Sequence, residues 1–384
     1  MDTPDSNLNQ EFESPIIIDI TELNIEIIDY LDKFDQQSIE LLKDIKKREL
    51  SGDQRTQQWL QQRHQFITGS AVKKCCSTEG SLTQLDSLIE KIEQPVKSSF
   101  KGNIYTVEGN ILEPVSRDLY LARLANININ YTWQEFGLVK HPTVNWAAAS
   151  TDGVVYFRDT KELINVEIKS LRSKKSIRSA DKLDKGYYCQ MQWQMFCLGL
   201  DETDFIQTYI KLTDTWVEPD KDNLYMGQIL EVAEPITGEN IYIYSKVTAI
   251  NSIAGKLELL ELNKWAEREI ESTNYIYIRT LYWIESAYSQ IRVKRDHKHI
   301  DKLVKIGQKF WAKVKKARTD KDEHNKILKQ RKSKTNTKPK TNSGKLPLLI
   351  SPDQNKRTNT KSKSKSKSNK SNNITPLLLD SDSN

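Results

Sequence analysis

The sequence predicts an α/β protein, and three observations carry that expectation. Extended pieces around residues 136–142, 153–157 and 163–168 follow one another, the last two separated by the turn-rich RDTKE, as successive strands of one sheet would. A strong helical segment comes next, YYCQMQWQMFCLGL at 187–200, ending at Gly199. DFIQTYIKL then alternates apolar and polar residues from Asp204 onward, which is the period of a further strand.

The remaining elements follow in chain order. Residues 7–50 are acidic and aliphatic, and the regular pattern of SIELLKDIKKREL makes residues 1–50 a helical extension. Asp53 to Ser70 reads as one helix, with Trp59 and Arg63 at i and i+4 on a common face. From Gly109 to Leu124 the apolar residues Leu112, Val115, Leu119 and Leu124 fall at helical spacing. Pro114 stands near the start, where a helix tolerates proline, so Glu113 belongs in or just before the first turn. A meander at 241–253 and helices at 257–273 and 300–317 complete a folded domain spanning 51–320.

Residues 321–384 are assigned to a basic tail. Beyond about 330 the chain is Lys, Ser, Asn and Thr, including KSKSKSKSNKSNN, too polar to offset the entropy of ordering, so it is expected to be disordered. Two apolar pieces interrupt it, KLPLLISPD and ITPLLLDSD; their shared PLL core and following acid suggest one docking segment used twice.

Composition narrows the class. No stretch approaches the roughly 20 apolar residues a membrane span needs, and the acidic MDTPDSNLNQEFESP does not fit a secretory leader. The expected location is intracellular, in host cytoplasm or nucleus if the source is viral. Cys75, Cys76, Cys189 and Cys197 have neither a disulfide framework's spacing nor a zinc site's. The formal charge of +6 is unevenly distributed: residues 331–384 carry thirteen Lys or Arg against three Asp, leaving −4 for everything before them.

The chemistry-bearing cluster is Ser150-Thr151-Asp152-Gly153 followed by Val166-Glu167-Ile168-Lys169. Alternation along a strand puts Glu167 and Lys169 on one face and turns Ile168 into the core. With Asp152 closing the preceding turn, its carboxylate arrives beside Glu167, and two adjacent carboxylates call for a cation between them. Hard oxygen ligands without nearby His or Cys favour Mg²⁺ or Mn²⁺ over zinc. Asp152 and Glu167 are the expected ligands, the Ile168 carbonyl a third; Lys169 would orient or deprotonate an attacking water and stabilise charge on a phosphate. Glu-x-Lys on a strand is usually a solvated face and Asp-Gly usually a plain turn. Their combination with Glu113, with Gln190 on an otherwise apolar helix, and with Arg63 and Ser70 in RHQFITGS is what singles them out.

WLQQRHQFITGS, GNILEPVSRDLY, HPTVNWAAASTDG, NVEIKS and YYCQMQWQM resemble, in the same order, the segments of YqaJ-type viral recombinases and lambda exonuclease, including giant-virus versions. The match covers roughly Asp53 to Tyr209, with a weaker echo in IRVKRDHKHIDKLVKIGQKFWAKV. The resemblance implies a restriction-endonuclease-like core, a central mixed sheet flanked by helices. It implies the PD-(D/E)xK activity of a metal-dependent DNA exonuclease, resecting duplex ends 5′→3′ in recombination and repair. It puts Glu113, Asp152, Glu167, Lys169 and Gln190 on the active-site positions, with Glu113 as a further metal ligand. It also puts Arg63 and Ser70 where the phage enzyme grips a 5′ phosphate. Thr151 departs from the family's usual proline.

The expected partners are double-stranded DNA ends, a single-strand annealing protein and a docking partner of the PLL repeats, with no membrane; self-association is left open. A structure-specific endonuclease of the same superfamily and a catalytically silent DNA-binding scaffold are the alternatives. SLRSKKSIRSADK, after Lys169, is either a solvated connection or a source of phosphate contacts through Arg172, Lys174 and Lys175. Trp59, Trp146 and Trp193 read as core, and neither His64 nor His141 is assigned to a metal.

Overall fold

The computed structural model describes residues 36–50, 56–93, 104–127, 129–219, 224–250 and 253–336. Most of the acidic extension, and the tail with its PLL repeats, lie outside the described residues. The frame is a mixed eight-stranded sheet made of β2 (Tyr131–Gln134), β5 (Gly153–Phe157), β6 (Glu162–Leu171), β7 (Glu202–Thr213), β8 (Tyr225–Ala233), β9 (Asn240–Tyr244), β10 (Thr248–Ala249) and β11 (Ile276–Lys294). Its order is β10-β8-β11-β7-β6-β5-β2, with β9 on β8.

Only β6 and β7 run parallel, Glu167 opposite Phe205 and Lys169 opposite Gln207. A parallel pair needs a long crossover, and α6 (Lys185–Leu198) supplies it. The Asp184 side chain accepts from Gly186 N at 2.6 Å at its start, and Gly199 ends it at φ +82°, a left-handed conformation that costs glycine least.

Each face of the sheet has its own helix. On one, α5 (Ile104–Asn126) presses Tyr120, Leu121 and Leu124 onto Val155, Ile164, Val166 and Ile168. Its Leu112, Val115 and Leu119 meet Ile210, Ile229, Leu281 and Trp283. On the other, Met191 and Met195 of α6 pack with Phe205 and Val293. Behind α6 lies a second core built from α3 (Gly69–Cys75), α4 (Leu82–Ile92), α8 (His297–Thr319) and α9 (Lys321–Asn336), around Trp146 and Trp193. Trp59 is also buried, against Phe66, Leu138 and Ala148. The hairpin β5–β6, the helix α6 and the strand β7 therefore stand where the sequence puts them.

Several expectations are corrected. The helix expected over 53–70 is broken: α2 (Gln57–His64) stops, Phe66 and Ile67 bury, and Ile67 bridges to Ala147 before α3 begins. The piece at 136–142 contributes only β3 (Leu138–Lys140), which pairs with β1 (Glu49–Leu50) and β4 (Ala148–Ala149) in a separate three-stranded sheet. α5 starts five residues earlier than Gly109, so Glu113 and Pro114 lie in its middle. The proline there removes one helical hydrogen bond, offset by the burial of Leu112, Val115 and Leu119.

The helix expected at 257–273 is α7 (Ile253–Ser272). The boundary expected at residue 320 moves outward, because α9 is anchored. Asp320 Oδ1 accepts from Asp322 N at 2.9 Å, Ile327 is buried, and Arg331 Nε donates to Asp86 Oδ1 at 2.9 Å.

Candidate active site

β5 begins at Gly153, opposite Val166, so beyond Val166 that edge of β6 has no strand partner from β5. Thr151 and Asp152 fill the place. The Thr151 hydroxyl lies 3.1 Å from the Val166 carbonyl, and Asp152 Oδ2 accepts from Ile168 N at 2.7 Å. In a strand, the N–H and C=O of one residue point to the same side. The Ile168 carbonyl is therefore directed towards the Asp152 side, where the strand-to-strand ladder has stopped.

Thr151, standing where the resembling family has proline, is buried; its hydroxyl also lies 2.6 Å from Asn165 Oδ1 and 2.7 Å from the Gly153 carbonyl. It ties the turn to the strand through side-chain chemistry that a proline lacks.

Glu167 projects from the opposite face to Ile168, towards α6, and is fully buried. Its Oε1 accepts from Gln190 Nε2 at 2.7 Å and from the Lys169 ammonium, and its Oε2 accepts from Gln194 Nε2 at 2.5 Å. Gln194 Nε2 also donates to the Ser150 carbonyl at 2.9 Å, while its Oε1 accepts from Asn165 Nδ2 at 3.2 Å. The two glutamines sit one turn apart on α6, so the helix presents both amides to one carboxylate. A buried charge is tolerated when paired and hydrogen-bonded, and Glu167 has both.

Burial pulls the Lys169 pKa down, but the Glu167 and Asp152 carboxylates, helped by the Tyr187 phenol, hold it well above the usual lysine range. An ammonium between these carboxylates and an incoming phosphate suits donation to a phosphate oxygen.

Among the described residues no three His, Cys, Asp or Glu side chains gather as a metal-ligand set. A divalent ion would be held by Asp152 and Glu167 with the Ile168 carbonyl as third oxygen, a donor set suited to Mg²⁺ or Mn²⁺. Glu113 is not gathered with Asp152 and Glu167 into a three-carboxylate set among the described residues. It is half-buried on α5, the helix that covers the Ile168 face of the sheet rather than the Glu167 face. Ser116, one turn on, links that helix to β6 and β7, its hydroxyl lying 2.9 Å from Ser170 Oγ and 2.7 Å from Thr208 Oγ1.

Arg63 and Ser70 come together, Arg63 Nη2 donating to Ser70 Oγ at 2.6 Å. The guanidinium stacks over Trp59, 4.1 Å from the ring centroid, which leaves its fork directed by a rigid wall. Burial lowers the Arg63 pKa from its ordinary value, Glu90 opposing, and the group stays charged. Gly69 joins this pair to the carboxylates: a Cβ at Gly69 would lie 3.4 Å from Gln190 Cγ. The Gly69 backbone, next to Ser70, is therefore separated from Glu167 by the Gln190 side chain.

The loop after β6 is placed by Gln207, which faces Lys169 in register. Gln207 Oε1 accepts from Arg178 N at 3.0 Å and its Nε2 donates to the Arg178 carbonyl at 2.9 Å. Lys174 and Lys175, in a short 3₁₀ turn at Lys174–Ser176, are exposed. Arg172 forms an ion pair with Glu108 at 2.6 Å. His64 and His141 are engaged elsewhere: His64 Nε2 lies 3.1 Å from the Glu90 carbonyl, and His141 Nδ1 accepts from Thr143 N and Val144 N.

Sequence reasoning missed Asn165 and Gln207 as structural parts of the site. A polar residue at an inward position of an apolar strand, as Asn165 is in LINVEIK, was the available signal.

Residues 58–204 match the model of the YqaJ-like viral recombinase domain. An uncharacterized protein of Acanthamoeba polyphaga mimivirus is 25% identical over 327 residues, 74% of this chain; the chain spans 57% of that relative's length. Among solved structures, an alkaline exonuclease from Laribacter hongkongensis aligns at a TM-score of 0.42 and 19% identity, over 73% of this chain and all of that one. A phage-related exonuclease from Haemophilus somnus 129PT aligns at 0.34 and 15%, over 64% of this chain and 93% of that one.

Proposed function

We propose, from the match of residues 58–204 to the model of the YqaJ-like viral recombinase domain, that the chain is a metal-dependent exonuclease acting on duplex DNA ends in recombination. One observation carries the reading: Asp152, Glu167 and Lys169 converge at the open end of β6, with the Arg63–Ser70 pair one side chain away across Gly69 and Gln190. A terminal 5′ phosphate held by a guanidinium and a hydroxyl places the neighbouring phosphodiester against the carboxylates.

The chain's own residues divide the work. Asp152, Glu167 and the Ile168 carbonyl hold a Mg²⁺ or Mn²⁺ ion, which when bound supplies Lewis acidity and a more acidic water. Gln190 and Gln194 fix the Glu167 carboxylate. Lys169 neutralises charge that develops on the phosphate. Arg63 and Ser70 set the register of the end, and this favours an exonuclease over an endonuclease of the same superfamily.

The test is digestion of a linear duplex labelled separately at each 5′ end, with Mg²⁺ and with chelator, and with each end phosphorylated or not. Stepwise loss from phosphorylated 5′ ends, dependent on Mg²⁺, is expected. Cutting of a covalently closed circle at the same rate would overturn the exonuclease reading.

A further inference from the structure

α8 is the most basic helix among the described residues. α8 carries seven Lys and Arg318 against Asp301 alone, in a sequence whose first 330 residues sum to −4. Six of those lysines, Lys298, Lys302, Lys305, Lys309, Lys313 and Lys316, follow at steps of three or four residues, which is the spacing of a single helix face. All six are exposed. The opposite face of α8, through Leu303, Phe310, Trp311 and Val314, is buried against α3 and α6.

The two ends of the stripe differ. Lys313 pairs with Glu79 and Lys316 with Glu323 at 2.8 Å, and Lys309 lies near enough to Glu79 to lower its pKa. Lys298, Lys302 and Lys305 form no ion pair among the described residues. This unneutralised end is the one joined to α6, the helix that carries Gln190. Asp296, the N-cap of α8, accepts from Tyr188 OH at 3.0 Å, and its own N–H donates to Gln192 Oε1 at 2.7 Å, the residues flanking Gln190 by two. At a rise of about 1.5 Å per residue the stripe extends about 27 Å from there.

We propose that this face of α8 is a track for the phosphate backbone of duplex DNA, holding the substrate beyond the catalytic centre. The proposal rests on the exonuclease reading, which makes a duplex the partner that must be held. A row of uncompensated cations at regular spacing, leading away from the helix that bears Gln190, suits a polyanion of regular charge spacing.

The test uses the full chain carrying Lys169→Ala, so that DNA is bound and not cut. Affinity for a blunt duplex of about 30 base pairs is measured between roughly 50 and 200 mM salt, with and without K298Q/K302Q/K305Q/K309Q. Each neutralised contact is worth about 0.9 in the slope of log affinity against log salt. The quadruple variant should therefore lose about 3–4 units of slope and bind at least roughly tenfold more weakly at 100 mM.

A charge-matched variant on α9, K321Q/K329Q/K332Q/K334Q, should move the slope by less than about one unit. Glutamine preserves helix propensity, and thermal melts of both variants verify the fold. An unchanged slope in the α8 variant, or an equal loss in the α9 control, overturns the track. If wild-type protein cuts no duplex while the α8 slope still falls, the hydrolytic reading fails and the track stands.

Discussion

Replacing Gln194 with Met keeps the side-chain length and removes the amide, and the structure sets the cost. Glu167 Oε2 loses its hydrogen bond from Gln194 Nε2, a charge-assisted contact worth about 1.5–3 kcal/mol. The Ser150 carbonyl loses its donor as well, at about 1–3 kcal/mol for an unsatisfied group. Asn165 Nδ2 keeps Thr203 Oγ1 at 3.0 Å, so that arm of the network survives. Because both losses meet at one amide they are not fully additive, and the net expectation is about 3–4 kcal/mol. Urea unfolding followed by tryptophan fluorescence reads this directly, and the digestion rate should fall by about 10–100-fold as the carboxylate proposed to hold the metal loosens. Gln194→Glu makes a sharper companion. A second carboxylate this close to Glu167 must keep a proton to preserve the hydrogen bond, so its residual activity should decline as pH rises. A Gln194→Met protein within 0.5 kcal/mol and twofold of wild type would refute the assigned role of this amide.

Other expectations follow from the same geometry. Lys169→Met should bind duplex DNA and cut it at least about 10³-fold more slowly, read by single-turnover kinetics on an end-labelled substrate. Arg63→Lys keeps the charge and loses the fork stacked on Trp59. Its rate on 5′-phosphorylated ends should drop towards that on 5′-hydroxyl ends, measured as the ratio of the two. Burial, with Arg48 and Arg295 nearby, lowers the His141 pKa to about 4. The folded state therefore binds fewer protons than the unfolded one between about pH 6.5 and 4. Stability should be full above that window and fall through it by about 1–2 kcal/mol, after allowance for solvent screening of a half-buried ring. His141→Asn retains an acceptor for Thr143 N and Val144 N without titrating, so denaturation midpoints across this range should flatten.

The β5–β6 hairpin and α6 were legible because alternation and helical period are local properties of the sequence, and they brought Asp152, Glu167, Lys169 and Gln190 with them. What depended on distant partners was not. Ile67 leaves the helical pattern because Ala147 pairs with it, and the Leu138–Lys140 strand joins Glu49–Leu50 rather than the main sheet. β11, nineteen residues long, is exposed over Ile276–Arg279, buried at Leu281 and Trp283–Glu285, and mostly half-buried or exposed beyond, so its pattern follows neither period cleanly. Glu113 was placed by the proline beside it, on the rule that proline opens helices; tertiary burial of its helix overrode the rule. The Lys stripe of α8 was hidden in the basic average of the chain, which drew attention to the tail.

Manganese binding measured by electron paramagnetic resonance on wild type, Asp152→Asn and Glu167→Gln bears most directly on the hairpin as an ion clamp. A saturable site in wild type that weakens at least roughly tenfold in both variants, together with loss of duplex digestion, is the predicted result. Equal Mn²⁺ binding in all three proteins, or undiminished digestion in chelator, would contradict it.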